Sequence, residues 1–146
     1  TIGEKTIEVE GNVGGNNKFS SNVDAVVDWF GPIDMTRMNN CETVKDANSP
    51  EAALIGGNPA DNMDMTQLSS PYFYVSKSTV PFVVIHGDAD NVVPYCQSVY
   101  FSEELKKNGK LADFITVSGG QHGPVTFNND TFKKMVDFFK KEAKMK

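Results

Sequence analysis

A continuous apolar run in the second half of the chain most constrains the fold. Residues 81–87 read Pro-Phe-Val-Val-Ile-His-Gly, without the polar alternation of a half-exposed strand. A run of β-branched and aromatic residues between Pro and Gly is typical of a strand buried on both faces of a parallel sheet. The sequence therefore predicts a buried strand here, with further layers packed on either side of it.

Strands and helices alternate around this run. Residues 23–30 form a second apolar run, stopped by Gly31-Pro32, and residues 112–117 are again strand-like. The apolar spacing predicts one helix over 95–108, ended by Gly109, and a second helix that begins at Asn129 or Asp130. The residues that share one face at helical spacing are Ser98, Phe101, Ser102 and Leu105 in the first helix, and Phe132, Met135, Val136, Phe139 and Ala143 in the second, amphipathic helix. The alternation predicts an α/β class, a three-layer α/β/α fold with a parallel sheet.

The domain organisation follows from a change in composition. Residues 1–22 are polar and rich in Gly and Asn, which favours a lead-in loop, and residues 23–146 form the folded domain. Within that domain, residues 33–74 form an irregular excursion with a short helix that Ser49 caps and Pro50 begins.

Charge and hydropathy exclude several function classes. A net charge of −5 disfavours a nucleic-acid partner, and no apolar run is long enough to span a membrane. The first ten residues alternate in charge and do not resemble a signal peptide, so localisation stays open between cytoplasm and secretion. No strand is followed by a glycine-rich phosphate loop that opens a helix, which disfavours a flavodoxin-like nucleotide binder. We expect no cofactor and no metal.

The two cysteines, Cys41 and Cys96, lie far apart in the sequence and near no metal-like partner spacing. The sequence therefore predicts neither a disulfide framework nor a zinc site.

Chemistry is expected in the loops that follow the strands, because functional side chains of open α/β sheets gather at the carboxyl ends of strands. The loop after the buried strand contains Asp90, and the loop after the next strand is Gly-Gly-Gln-His-Gly, with His122. An acid and a histidine that meet in this way form the acid and the base of a nucleophilic triad, without its nucleophile.

These residues resemble the C-terminal part of an α/β-hydrolase, and in particular the feruloyl and acetyl esterases of gut bacteria. The resemblance covers about Glu10 to Lys141 and rests on the segments VDAVVDWFGPID, PFVVIHGDADNVVPYCQS, GGQHG and FKKMVDFF. It implies a serine carboxylesterase in which Asp90 orients His122 and His122 acts as general base and then general acid. It also implies that Tyr95 and Gln97 support the acid loop, and that the substrate is a small carboxylic ester, including an acylated plant polysaccharide.

The chain departs from that family in its nucleophile. The family carries a G-x-S-x-G elbow and an upstream HGG-type oxyanion loop, and neither pattern occurs here. No serine has Gly both two residues before it and two residues after it; the serines are Ser20, Ser21, Ser49, Ser69, Ser70, Ser76, Ser78, Ser98, Ser102 and Ser118. The resemblance therefore implies the last three strands of the hydrolase sheet, with the nucleophile and oxyanion hole in missing N-terminal residues and little or no activity for this chain alone.

Alternatives remain for single residues and for the whole chain. His86 is expected to hydrogen-bond the following turn without a catalytic role, and Asp88 competes with Asp90 for the acid role but is expected to brace its turn through backbone amides. For the whole chain, the alternative to an esterase fragment is a non-catalytic module that serves binding or assembly. This alternative rests on strand 23–30, which would present an edge without a neighbouring strand. Such an edge predicts self-association or pairing with an N-terminal half.

Overall fold

The computed structural model describes residues 14–16, 18–42 and 46–142. Three parallel strands form a sheet in the order β1-β2-β3: β1 is Val26–Trp29, β2 is Phe82–Gly87 and β3 is Leu111–Val117. The helices are α1 Pro50–Ile55, α2 Met63–Leu68, α3 Cys96–Lys107 and α4 Asn129–Glu142, with 3₁₀ turns at Met35–Arg37, Pro59–Asp61 and Pro71–Tyr74. The predicted α/β fold with its parallel sheet is confirmed.

Strand β2 is buried along its whole length, as its continuous apolar sequence predicted. Phe82 and Val84 face one core, which α3 closes with Phe101 and Leu105. The alternate residues Val83 and Ile85 face a second core, which contains Phe138 of α4. Side chains of a strand alternate between faces, so one central strand joins two helical layers.

Several element boundaries differ from the predictions by a few residues, and two of these differences have a clear local cause. Strand β1 covers only Val26–Trp29 of the predicted 23–30, because Phe30 has a φ of 44° and turns the chain out of the strand. Helix α4 is capped by Asn128, one residue earlier than predicted: its Oδ1 accepts hydrogen bonds from the amides of Asp130 and Thr131. Ala143 and most of the polar lead-in, residues 1–13 and 17, lie outside the described residues; residues 14–16 and 18–22 form neither helix nor strand.

The prediction about the cysteines was wrong, because Cys41 and Cys96 form a disulfide with a Cα–Cα distance of 6.2 Å. Their separation of 55 residues in the sequence hid this pairing. The excursion folds back onto the start of α3, and that return brings the two side chains together. The disulfide therefore ties the excursion to the helix that follows the acid loop.

Gln97, which is buried, reinforces the same connection. Its side-chain oxygen accepts hydrogen bonds from the amides of Ile33 and Asp34, and its side-chain nitrogen donates to the carbonyls of Asp34 and Arg37. The side-chain amide of Gln97 thus connects α3 to the backbone of residues 33–37 in the excursion by four hydrogen bonds. Among the residues described, no helix has the length and apolar character needed to cross a membrane.

Candidate active site

The loops that follow β2 and β3 meet because two glycines let the backbones approach closely. A Cβ added to Gly87 would lie 2.2 Å from the carbonyl oxygen of Gly120, and one added to Gly120 would lie 2.9 Å from the Cα of Gly87. The amide of Ala89 donates to the Gly120 carbonyl at 2.9 Å, and that of Asp88 donates to the Val117 carbonyl at 3.2 Å. No side chain fits at this crossing, so both loops leave the sheet side by side.

This approach brings Asp90 and His122 into contact. Oδ2 of Asp90 lies 2.9 Å from Nδ1 of His122, and the Asp90 side chain has no exposed surface whereas that of His122 is 31% exposed. Within the described residues, Nε2 of His122 has no hydrogen-bond partner. The histidine is thus held on one side and open on the other.

The second oxygen of Asp90 is engaged by its own loop. Oδ1 accepts hydrogen bonds from the amides of Val92 and Val93, at 2.8 and 2.9 Å. Burial opposes ionisation of this carboxyl, but the two amides and His122 favour it more strongly, and the pKa of Asp90 lies below its usual range. Asp90 is therefore an ionised hydrogen-bond acceptor at neutral pH.

The two competing residues take different positions. Oδ1 of Asp88 accepts the amide hydrogen of Gly119 at 2.6 Å, so Asp88 links the two loops through a backbone amide and does not reach His122. His86 is fully buried, and its Nε2 lies 3.1 Å from the carbonyl of Val93, which is the expected contact with the following turn. Asp90 is thus the carboxylate that contacts His122.

The two residues expected to support the acid loop do so unequally. The hydroxyl of Tyr95 lies 2.6 Å from the hydroxyl of Thr116 on β3, and its ring centre is 5.6 Å from that of His86. Gln97 supports the excursion instead, through the hydrogen bonds to residues 33–37 described above.

Sequence reasoning did not predict the contacts of two residues that shape the surroundings of His122. The ring of Phe30 packs 4.3 Å from the imidazole, centre to centre, in the backbone turn that ends β1. Thr126 is fully buried and donates to the carbonyl of Gln121 at 2.7 Å, which closes the loop around His122. The Gly31-Pro32 stop signalled the turn at Phe30, but nothing in the sequence indicated the loop contact of Thr126.

An open cavity of about 460 Å³ borders the acid loop at Val92. Residues of the excursion form its other walls, and the lining contains both apolar and polar side chains. The lining residues are Met38, Asn39, Asp46, Ser49, Pro50, Glu51 and Val92.

Comparison with known proteins identifies the chain's relatives. The model of the BD-FAE family matches residues 2–105. Esterase LipQ of Mycobacterium tuberculosis is 33% identical over 89 residues, which cover 60% of this chain and 20% of LipQ.

Two solved structures are similar over nearly the whole chain. A bifunctional GH43-CE protein of Bacteroides eggerthii is 66% identical with a TM-score of 0.89, over 98% of this chain and 18% of that protein. A truncated carbohydrate esterase from gut microbiota is 47% identical with a TM-score of 0.88, over 97% of this chain and 50% of that structure. The chain thus spans half or less of the length of each of these relatives.

Proposed function

The chain belongs to the BD-FAE family, and from that membership we propose that it supplies the acid and the base, Asp90 and His122, of a serine carboxylesterase. The nucleophilic serine and the oxyanion hole of this enzyme lie outside the present sequence, so the chain alone is inactive or nearly so. The relatives named above include esterases, which supports ester hydrolysis as the reaction.

The observation that carries the proposal is the hydrogen bond between the buried Asp90 carboxylate and Nδ1 of His122, at 2.9 Å. A carboxylate only accepts, so Nδ1 donates and the lone pair of the neutral imidazole lies on Nε2. That nitrogen has no partner among the described residues. His122 is therefore presented as a general base with its reactive nitrogen free.

In the first half-reaction, Nε2 of His122 takes the proton of the serine hydroxyl as the serine oxygen bonds to the ester carbonyl carbon. The imidazolium that forms is stabilised by Asp90, which stays ionised. His122 then gives this proton to the departing alcohol oxygen as the carbon–oxygen bond of the ester breaks. In the second half-reaction a water gives a proton to Nε2 of His122 as its oxygen bonds to the acyl carbon. The bond between that carbon and the serine oxygen then breaks, the serine oxygen takes the proton back, and the carboxylic acid is released.

The proposed substrate is a carboxylic ester of a carbohydrate, including an acylated plant polysaccharide. Support comes from the similarity to a carbohydrate esterase from gut microbiota, which is 47% identical. The cavity beside Val92 is a suitable place for part of such a substrate, because its lining combines apolar groups with carboxylate, amide and hydroxyl groups.

The test combines intact-mass spectrometry of the native source protein with hydrolysis of p-nitrophenyl acetate by the 146-residue chain and its His122→Ala variant. A native mass about twice that of this chain, with no His122-dependent hydrolysis by the chain, is the expected result. A native mass near 16.0 kDa with turnover that His122→Ala abolishes would overturn the proposal, because the nucleophile would then lie within this sequence.

A second proposal concerns partners, and the edge of β1 favours it. In the described sheet β1 has only β2 as a neighbour, and the amides of Val26 and Phe30 donate toward β2. The intervening amides, those of Val27 and Trp29, point to the open side. We propose that another strand pairs with this edge, from the nucleophile-bearing segment or from a second copy of the chain.

Size-exclusion chromatography with light scattering tests this pairing. A self-associated chain at high micromolar concentration, or a complex with the nucleophile-bearing segment, is expected. A chain that stays monomeric both alone and in the presence of that segment contradicts the proposal.

A further inference from the structure

A second histidine contacts the same oxygen of Asp90 that holds His122. Nε2 of the fully buried His86 lies 3.3 Å from Oδ2 of Asp90, while its Nδ1 lies 2.6 Å from the hydroxyl of Ser98 on α3. Ser98 is itself fully buried. A buried chain of polar groups thus runs from α3 through β2 to the proposed base.

The neighbours of His86 determine which of its nitrogens carries the proton. The Val93 carbonyl, 3.1 Å from Nε2, can only accept, and so can the Asp90 carboxylate. Nε2 therefore carries the hydrogen, which it donates to the Val93 carbonyl, and Oδ2 of Asp90 lies beside the same N–H at 3.3 Å. Nδ1 is left to accept the hydroxyl hydrogen of Ser98, so the tautomer of His86 is defined from both sides.

Burial also keeps this imidazole neutral. It lowers the pKa of His86 more than the Val93 carbonyl and Asp90 raise it. A protonated His86 would compete with His122 for the charge of Asp90. A neutral His86 offers Asp90 a weaker donor and leaves that charge available to the imidazolium of His122.

We propose that His86 and Ser98 are positioning residues for the base. They fix the orientation of the Asp90 carboxylate at the same oxygen that His122 contacts, and so hold His122 in the tautomer with its proton on Nδ1. Asp90 is then constrained at both oxygens: the amides of Val92 and Val93 hold Oδ1, and the N–H of His86 adjoins Oδ2. For catalysis the inference rests on the function proposed above, whereas the tautomer itself does not depend on it.

The experiment measures the tautomer of His122 by long-range ¹H–¹⁵N correlation on the labelled 146-residue chain. The wild type is expected to show the proton on Nδ1. His86→Phe removes the donor to Asp90 and is expected to shift His122 toward a mixture of tautomers, whereas His86→Gln, which retains a side-chain N–H donor, should restore part of the original signal.

Ser102→Ala is the matched control, because Ser102 lies one turn after Ser98 on α3 and its buried hydroxyl has no hydrogen-bond partner among the residues that the structure describes. Its spectrum should leave His122 unchanged. Ser98→Ala serves if His86→Phe fails to fold: it removes only a hydroxyl, and is expected to alter the nitrogen shifts of His86 and to lower the Nδ1-protonated fraction of His122. If folded His86→Phe, or Ser98→Ala in its place, leaves His122 as in the wild type, the inference is overturned.

Kinetics then separate the two proposals. In the enzyme that includes the nucleophile-bearing segment, His86→Phe should lower kcat about 10- to 100-fold, the range known for outer partners of a functional histidine, with KM nearly unchanged. An enzyme without His122-dependent ester hydrolysis defeats the proposed function and leaves the tautomer result standing. Ester hydrolysis together with a tautomer that is insensitive to His86 defeats only the positioning role.

Discussion

At the residue scale, the two carboxylate oxygens of Asp90 have different hydrogen-bond and ion-pair partners. Oδ1 accepts two amides of its own loop, and this holds the carboxylate in the loop whether or not His122 is present. Oδ2 is the oxygen that contacts both histidines. Loss of the charge on Asp90 is therefore expected to affect the histidines more than the loop.

Asp90→Asn tests this division in the enzyme that includes the nucleophile-bearing segment. An amide keeps an oxygen for the loop, but the group facing His122 can become an N–H donor, which favours the wrong tautomer. We expect kcat for p-nitrophenyl acetate to fall by about 10⁴-fold, as in the Ser-His-Asp template, with KM little changed.

Asp88→Asn is the control for this substitution, since Asp88 lies in the same loop and bonds only the amide of Gly119. Its kcat should fall by much less than that of Asp90→Asn. A larger loss in Asp88→Asn would transfer the acid role to Asp88 and contradict the assignment.

At the element scale, the sequence predicts β2, α3 and the carboxyl ends of the strands. These features are predictable because the apolar runs, helical spacing and terminating glycines that mark them lie within a few residues of one another in the sequence. They do not predict contacts that depend on how distant segments of the chain fold against each other. The disulfide between Cys41 and Cys96 and the packing of Phe30 on His122 are of this second kind. The contact between Asp90 and His122 was predictable because their two loops each follow a strand, whereas the Ser98–His86 contact needed the three-dimensional position of α3.

The crossing of the two strand ends at Gly87 gives a prediction about this element. In Gly87→Ala the new Cβ would meet the Gly120 backbone at 2.2 Å, so the two loops must separate. We expect the ¹⁵N shifts of His122 to approach those of a histidine without its Asp90 partner, as read from the NMR spectrum of the chain.

Gly109→Ala provides the comparison for that variant. Gly109 has a φ of 70° with open space around it, so alanine there costs only backbone strain of about 1 kcal/mol. The His122 spectrum should remain that of the wild type. Equal effects of the two substitutions on His122 would show that the glycine crossing does not position the loops.

The disulfide between the excursion and α3 leads to a prediction of stability. It closes a loop with a sequence separation of 55 residues, and bonds of this kind typically contribute about 2–4 kcal/mol. The double variant Cys41→Ser/Cys96→Ser should lose that much free energy of unfolding in urea, with its far-UV circular dichroism retained. Dithiothreitol should destabilise the wild type by a similar amount and leave the variant unchanged; two alkylatable thiols in the untreated wild type would contradict the pairing.

At the scale of the whole molecule, one side of the described fold is exposed in a way that favours a covering chain. The open edge of β1 adjoins the apolar stripe of α4 formed by Phe132 and Val136, which are 45% and 40% exposed, and Trp29 contacts Phe132 at 5.5 Å between ring centres. On the opposite face of β1, Oδ2 of Asp28 is buried, and no hydrogen-bond partner for it lies within the described ranges 14–16, 18–42 and 46–142. Buried carboxylate oxygens are normally paired, so this atom lacks a donor that a neighbouring strand or loop would supply.

Because of this unpaired carboxyl oxygen, the free energy of unfolding of the chain without a covering partner should depend on pH. Burial, only partly offset by the amide of Gly31, raises the pKa of Asp28 to about 6. A raised carboxyl pKa means that the folded chain binds this proton more tightly than the unfolded chain. Its contribution is fully present below the unfolded pKa and is lost as the pH rises through 6, by at most about 3 kcal/mol.

Asp28→Asn should remove this dependence, so its free energy of unfolding in urea, relative to the wild type, should rise by up to that amount between pH 4 and pH 8. The comparison with the wild type cancels the opposite contribution of His86, whose lowered pKa removes stability as the pH falls below about 6.5. Asp24→Asn, at an exposed position just before β1, should show no such change.

When the nucleophile-bearing segment covers β1 and donates to Oδ2, the carboxylate is favoured and the difference between wild type and Asp28→Asn should shrink. A difference that persists unchanged in that complex would mean that the covering chain leaves Asp28 unpaired.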